Sequence, residues 1–194
     1  MNNDTPKFRA SYSILSKWAG GQWEEAIKMY FKLETFTSPE MAEGKKWHEG
    51  WEKHIIATQA LPLELGGKVL TSPVPELKKV VELRPWLDLV GVVDCYDSGT
   101  IYEFKTGKQS SEAYASSKQI GIYGLLCTYA GLYVEKAEIY HYDQYLKKYD
   151  MSVVWITDEM LKDAFNWIET LAGEMHLYFE KNGLYTKFGG AKNV

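Results

Sequence analysis

Residues 79–105 read Lys-Val-Val-Glu-Leu-Arg-Pro-Trp-Leu-Asp-Leu-Val-Gly-Val-Val-Asp-Cys-Tyr-Asp-Ser-Gly-Thr-Ile-Tyr-Glu-Phe-Lys. Three strand-like runs stand in this stretch, at 79–84, 87–96 and 100–105, each rich in Val, Leu, Ile or aromatic residues. Asp97-Ser98-Gly99 supplies turn chemistry between the last two, so the stretch predicts a β-meander. One residue in it is costly. Asp94 interrupts the apolar run Leu89-Val90-Gly91-Val92-Val93, where a carboxylate needs a cation or a metal as partner. On the next strand Glu103 and Lys105 are two apart and share a face, with Phe104 turned into the core. A hairpin at 97–99 with a short offset brings Asp94 beside Glu103, giving two hard oxygen ligands with room for water and a phosphate. A lysine next to such a pair is able to orient an attacking water or offset charge on phosphorus. An isolated Glu-x-Lys is ordinarily a plain surface ion pair; the awkward Asp94 distinguishes this one.

Outward from the meander, helical periodicity dominates. Ser11 to Trp18 places Ile14, Leu15 and Trp18 at helical spacing behind small hydroxyl residues, and Trp23, Ile27, Tyr30 and Phe31 predict a second helix to about Leu33. Ser38 is an N-cap candidate with Pro39 at the first helical position, predicting a helix through Trp47, His48, Trp51 and Ile55 to about Thr58. Pro62, Gly66, Gly67, Pro73 and Pro75 make 61–75 a loop or irregular edge. Beyond the meander, a helix runs from Ser110 or Ser111 through Gln119 and Tyr123 to about Ala130, where Gly131 is a natural stop. Strands at 137–142 and 151–156 follow, and a last helix runs from Thr157-Asp158 to Phe179. The order helices, three strands, helix, two strands, helix predicts one α/β domain over residues 1–194, with its core at about 11–185.

Composition removes several function classes. The chain has 194 residues, 45% hydrophobic and 25% charged, ordinary globular usage that argues against disorder, collagen or a coiled coil. The longest nearly uncharged stretch, 119–134, contains three glycines and falls short of the roughly 20 apolar residues that cross a bilayer. The first residues lack the pattern of a secretory signal, which predicts a cytoplasmic protein. Two cysteines, Cys95 and Cys127, are too few for a disulfide framework or a Cys-rich zinc site and read as buried small apolar residues. A net charge of −4 means that any polyanion must be held by a local patch. Lys45, Lys46, Lys105, Lys108 and Lys118 are candidates for it.

Four motifs in order then resemble one family: Gly44-Lys-Lys-Trp-His48, Gly91-Val-Val-Asp94, Glu103-Phe-Lys105-Thr106-Gly107 and Gln119-Ile-Gly-Ile-Tyr123. They look like the marks of the PD-(D/E)XK nuclease superfamily, in its RecB-like exonuclease branch. The resemblance spans roughly residues 11–185. It implies a restriction-endonuclease-like domain, a central mixed β-sheet of about five strands flanked by helices. It further implies that Asp94 and Glu103, with the Phe104 carbonyl and the His48 imidazole, hold Mg²⁺ or Mn²⁺. Lys105 is then the catalytic lysine, while Gln119 and Tyr123 support the site and the nucleic-acid strand. Glu82 matches an acidic position often seen before the Gly-x-x-Asp strand. Several relatives, CRISPR-associated adaptation nucleases among them, carry an iron–sulfur cluster on four cysteines; with two cysteines this chain is expected to have none. His54, His141 and His176 match no motif.

The functional expectation is a metal-dependent deoxyribonuclease, an exonuclease in kind, that hydrolyses DNA phosphodiester bonds. The alternatives are a non-catalytic or partner-dependent DNA-binding subunit, working with a helicase or recombination partner in a repair or CRISPR-type complex, and a hydrolase of RNA or nucleotides.

Overall fold

The computed structural model describes residues 7–33, 38–107 and 109–188. In chain order the elements are β1 (Phe8–Ala10), α1 (Tyr12–Ala19), α2 (Trp23–Tyr30), α3 (Pro39–Thr58), β2 (Val74–Arg84), β3 (Leu87–Asp97), β4 (Thr100–Thr106), α4 (Ser111–Ala115), α5 (Lys118–Tyr129), β5 (Lys136–Asp143), β6 (Lys148–Trp155), α6 (Asp158–Lys181) and α7 (Leu184–Phe188). The six strands form one mixed sheet, in agreement with the α/β expectation.

β3 organises the sheet. β2 runs antiparallel along its full length, so its other edge is shared: β1 pairs parallel with Leu87–Leu89, and β4 pairs antiparallel with Cys95–Asp97. Between those two contacts β3 and β4 part, and this fork is where the site forms. β4 continues parallel to β5, which the α4–α5 crossover permits, and β6 closes the far edge antiparallel to β5.

Each face of the sheet has its own core. One is packed by α1, α2, α5 and α6. In α6 the buried residues Ala164, Ile168, Ala172, Met175 and Phe179 recur every three or four positions, the stripe of a helix lying on a sheet. Thr157 Oγ1 caps that helix by accepting from the Met160 N–H at 3.2 Å. The other face is covered by α3 and the segment after it, through Trp51, Ile55, Leu61, Leu65 and Leu70 against Tyr102, Phe104, Tyr140 and Tyr142. Ser38 caps α3 through the Met41 N–H at 3.2 Å, with Pro39 in the first turn as expected.

Several boundaries differ from the sequence reading, among them the start of β6 at Lys148 rather than 151. β1 starts the core at Phe8, not 11; three residues are too short for a pattern, and fully buried Phe8 and Ala10 depend on pairing with β3. β2 starts at Val74, inside the stretch read as loop, and Pro75 is tolerated because β2 is an edge strand. The helix expected from Ser110 or Ser111 to Ala130 is two: Ser117 takes an extended conformation and starts α5 afresh. α2 ends at Tyr30 rather than Leu33. Among the described residues no helix is long and apolar enough to cross a membrane.

Candidate active site

Two glycines let the site assemble. A Cβ on Gly44 of α3 would lie 3.1 Å from Thr106 Oγ1, so its absence lets the helix approach the end of β4. A Cβ on Gly91 would lie 2.8 Å from Leu126 Cδ2 and 3.6 Å from the Tyr123 ring, so glycine there admits α5 against β3. These contacts bring the four motifs together, and they do so through packing that the motif spacing alone does not reveal.

At the fork between β3 and β4, Asp94 Oδ2 accepts the Phe104 N–H at 2.8 Å, replacing the strand partner that this amide lacks. Asp94 Oδ1 faces His48 Nδ1 at 3.5 Å. Burial works to lower the His48 pKa, but the hydrogen bond and charge of Asp94, with the charge of Glu103, outweigh it and raise it. Glu103 is 2% exposed; its Oε1 meets Lys105 Nζ at 2.6 Å and accepts from Gln119 Nε2 at 2.8 Å. Its Oε2 is buried and meets no donor. Burial first, and the like charge of Asp94 second, push the Glu103 carboxyl up to about 7 against the pull of Lys105.

Lys105 Nζ also donates to Gln119 Oε1 at 3.1 Å and stands 5.4 Å from the centre of the Tyr114 ring. Its burial favours the neutral amine, yet Glu103 and then Asp94 more than compensate and raise its pKa, so it is an ammonium at neutral pH. Gln119 Nε2 reaches the Tyr123 hydroxyl at 2.9 Å as well, tying both α5 residues to the pair on β4. Tyr123 is raised by burial and then by the charges of Glu103 and Asp94, so it stays a neutral phenol.

The structure therefore brings together His48, Asp94, Glu103, Phe104, Lys105, Gln119 and Tyr123. It does not bring in Glu82. That residue pairs across the sheet with Asp88, six residues before Asp94 on β3, and its exposed carboxylate is ion-paired with Lys7. The acidic residue at the site is Glu76, which sequence reasoning missed. Its neighbours Pro75 and Leu77 pair with Cys95 and Val93, setting Glu76 opposite Asp94 with a φ of +50°. Burial, then the charges of Glu52 and Asp94, raise its pKa. The signal was the sheet register: β2 starts five residues before the run at 79–84, and its pairing keeps one register from Val74–Tyr96 to Glu82–Asp88, which puts Glu76 rather than Glu82 opposite Asp94.

Of the basic candidates, Lys118 is ion-paired with Asp163 and Lys45 lies 3.9 Å from Glu49; Lys108 lies outside the described residues. His141, to which the sequence assigned nothing, ties down the exit of β4: Nε2 donates to the Gly107 carbonyl at 2.9 Å and Nδ1 meets Asp150 Oδ1 at 2.7 Å. Cys95 and Cys127 are free and buried, with thiols pushed by that burial up to about 12 and about 11.

Among the described residues no three His, Cys, Asp or Glu side chains converge closely enough to hold an ion as they stand. The donors nevertheless fit a hard divalent cation. A buried carboxylate oxygen without a donor, beside a second carboxylate, lowers its cost by meeting positive charge. Mg²⁺ prefers such oxygen ligands together with water, and Mn²⁺ accepts an imidazole as well.

The fold is one shared with exonucleases. LHK-Exo, an alkaline exonuclease from Laribacter hongkongensis, superposes with a TM-score of 0.60 at 11% identity, over 92% of this chain and 93% of its own. In its complex with dAMP the TM-score is 0.58 at 13% identity, covering 92% of both chains. A phage-related exonuclease from Haemophilus somnus 129PT gives 0.54 at 12% identity, over 91% of this chain and 99% of its own. No protein-family model and no curated protein matches the sequence.

Proposed function

We propose that this protein is a metal-dependent deoxyribonuclease of the PD-(D/E)XK type, acting as an exonuclease on DNA phosphodiester bonds. The observation that carries the reading is the buried Glu103, with one oxygen on Lys105 and the other without a donor, beside Asp94. The exonuclease fold supports it, and the dAMP held by one neighbour points to a deoxynucleotide as the substrate class.

Asp94, Glu103 and the Phe104 carbonyl would hold Mg²⁺ or Mn²⁺, with His48 as a nitrogen donor and Glu76 next to Asp94. The bound cation would supply Lewis acidity and positive charge to the scissile phosphate. Lys105, an ammonium fixed by Glu103 and Gln119, orients the attacking water through Nζ and stabilises charge developing on the phosphate oxygens. In the metal-free site the charges of Glu103 and Asp94 keep it protonated, the form suited to donating to the water and the phosphate. Gln119 holds the carboxylate and the ammonium in one geometry, and Tyr123 holds Gln119.

The test uses end-labelled linear and covalently closed DNA, single- and double-stranded, beside RNA, with Mg²⁺, Mn²⁺ or EDTA. Metal-dependent loss of linear DNA with closed circles spared is expected. Cutting of circles would make it an endonuclease, and cutting of RNA alone would move the substrate class. Binding of DNA without any cutting would favour a partner-dependent subunit.

A further inference from the structure

Beside His48, α3 and the segment that follows it enclose an open cleft of about 430 Å³, within the range of ligand-binding clefts, whose walls include Lys46, Trp47, Gly50, Trp51, His54 and Glu64. Its aromatic wall is held rigidly. Trp47 packs against Trp51 and Tyr142, with ring centres 5.6 and 5.2 Å away and planes tilted by 40° and 54° so that neither ring stacks on it, and it donates its indole N–H to Gln144 Oε1 at 3.2 Å. Trp51 donates to Glu64 Oε1 at 3.1 Å, which fixes a carboxylate in the opposite wall. Exposed Lys46 stands on the same turn of α3 as His48.

Gly50 lies in the interior of α3, where glycine is less favourable than alanine. A Cβ there would meet nothing within 4 Å, a freedom shared among the described helical glycines only by Gly173. Packing does not require glycine at 50, and because position 50 lines the cleft a large side chain there has the cleft as space to occupy.

We propose that this cleft is a nucleobase subsite. It receives one unstacked base of the DNA strand whose backbone lies at Asp94 and Glu103, a placement that rests on the nuclease reading. The base lies against the Trp47 indole, a surface every base can use because every base has a π-face. Its N–H edge turns to Glu64, since a carboxylate accepts from the amino and imino groups of bases. Lys46 meets the adjoining phosphate.

The test is an abasic scan in EDTA with the Lys105→Ala protein, using a labelled single-stranded oligonucleotide in which one abasic residue is moved position by position. Affinity should fall about tenfold when the missing base is the one that occupies the cleft, and little elsewhere. Gly50→Phe on the Lys105→Ala background fills the cleft. It should bind the intact oligonucleotide about tenfold more weakly and lose the position-specific effect of the abasic residue. A melting temperature equal to or above that of the parent shows that the variant folds, and Gly50→Leu serves if it does not. Strand binding with a flat scan, or a Gly50→Phe protein that keeps the full scan profile, would overturn the subsite. Failure of the parent to bind any DNA strand would overturn the nuclease reading beneath it.

Discussion

Glu103→Gln should make the metal-free protein more stable while abolishing its activity. Burial and the charge of Asp94 push this carboxyl from 4.5 up to about 7, a displacement equivalent to about 3 kcal/mol. Between those two values the native state keeps a proton that the unfolded chain has released, so stability falls as pH rises through the interval and stays low above it. Glutamine remains neutral at every pH. Its amide oxygen still accepts from Lys105 and Gln119, but its NH₂ takes the place of Oε2 and finds no acceptor, returning about 1–2 kcal/mol of the gain. A net stabilisation of about 1–2 kcal/mol is therefore expected near pH 8, shrinking towards about pH 5. Urea denaturation in EDTA at both pH values measures it. Divalent cation should then stabilise the wild type and leave the variant unchanged. Equal or lower stability of Glu103→Gln near pH 8 in EDTA would refute the assignment of Glu103 as a strained, cation-seeking carboxylate.

Three further outcomes follow from contacts at the site. Asp94→Ala removes the acceptor of the Phe104 N–H and should cost about 1–3 kcal/mol of stability; Asp94→Asn keeps an acceptor and should be inactive with a near-normal urea midpoint. Gly91→Val drives a side chain into Leu126 and Tyr123, and should destabilise by about 1–3 kcal/mol and lower activity, read by urea melts and a cleavage assay on the same preparation. Glu76→Gln should weaken the response to divalent cation while Glu82→Gln leaves it unchanged, as a metal titration of activity would show; equal effects would contradict the register that places Glu76 opposite Asp94.

The sheet was legible where chemistry is local. Turn residues at 97–99 and β-rich runs on either side located β3 and β4, and the Ser38-Pro39 start fixed α3. β1 was not legible, because three residues have no periodicity and their burial depends on β3, almost eighty residues further along the chain. The break between α4 and α5 escaped notice because Ser116 and Ser117 are compatible with a helix interior and with a cap, and tertiary packing chooses the cap. At the site the motif residues come together through packing at Gly44 and Gly91 that their spacing did not show. The acidic residue on β2 did not follow, since the strand was legible only from 79 and its first residues, Glu76 among them, were not set against β3. Nor was the second role of Asp94 legible: its hydrogen bond to Phe104 exists because β3 and β4 separate there, a feature of sheet topology rather than of any motif.

The most direct test of the central claim is the release of nucleotides from linear DNA in Mn²⁺ by wild type and Lys105→Ala protein prepared side by side. The account predicts cleavage by the wild type that EDTA stops, and a loss of at least about a hundredfold in the variant, whose fold remains intact by circular dichroism. Equal cleavage by the two proteins would contradict it, because the ammonium held between Glu103 and Gln119 would then have no part in the reaction.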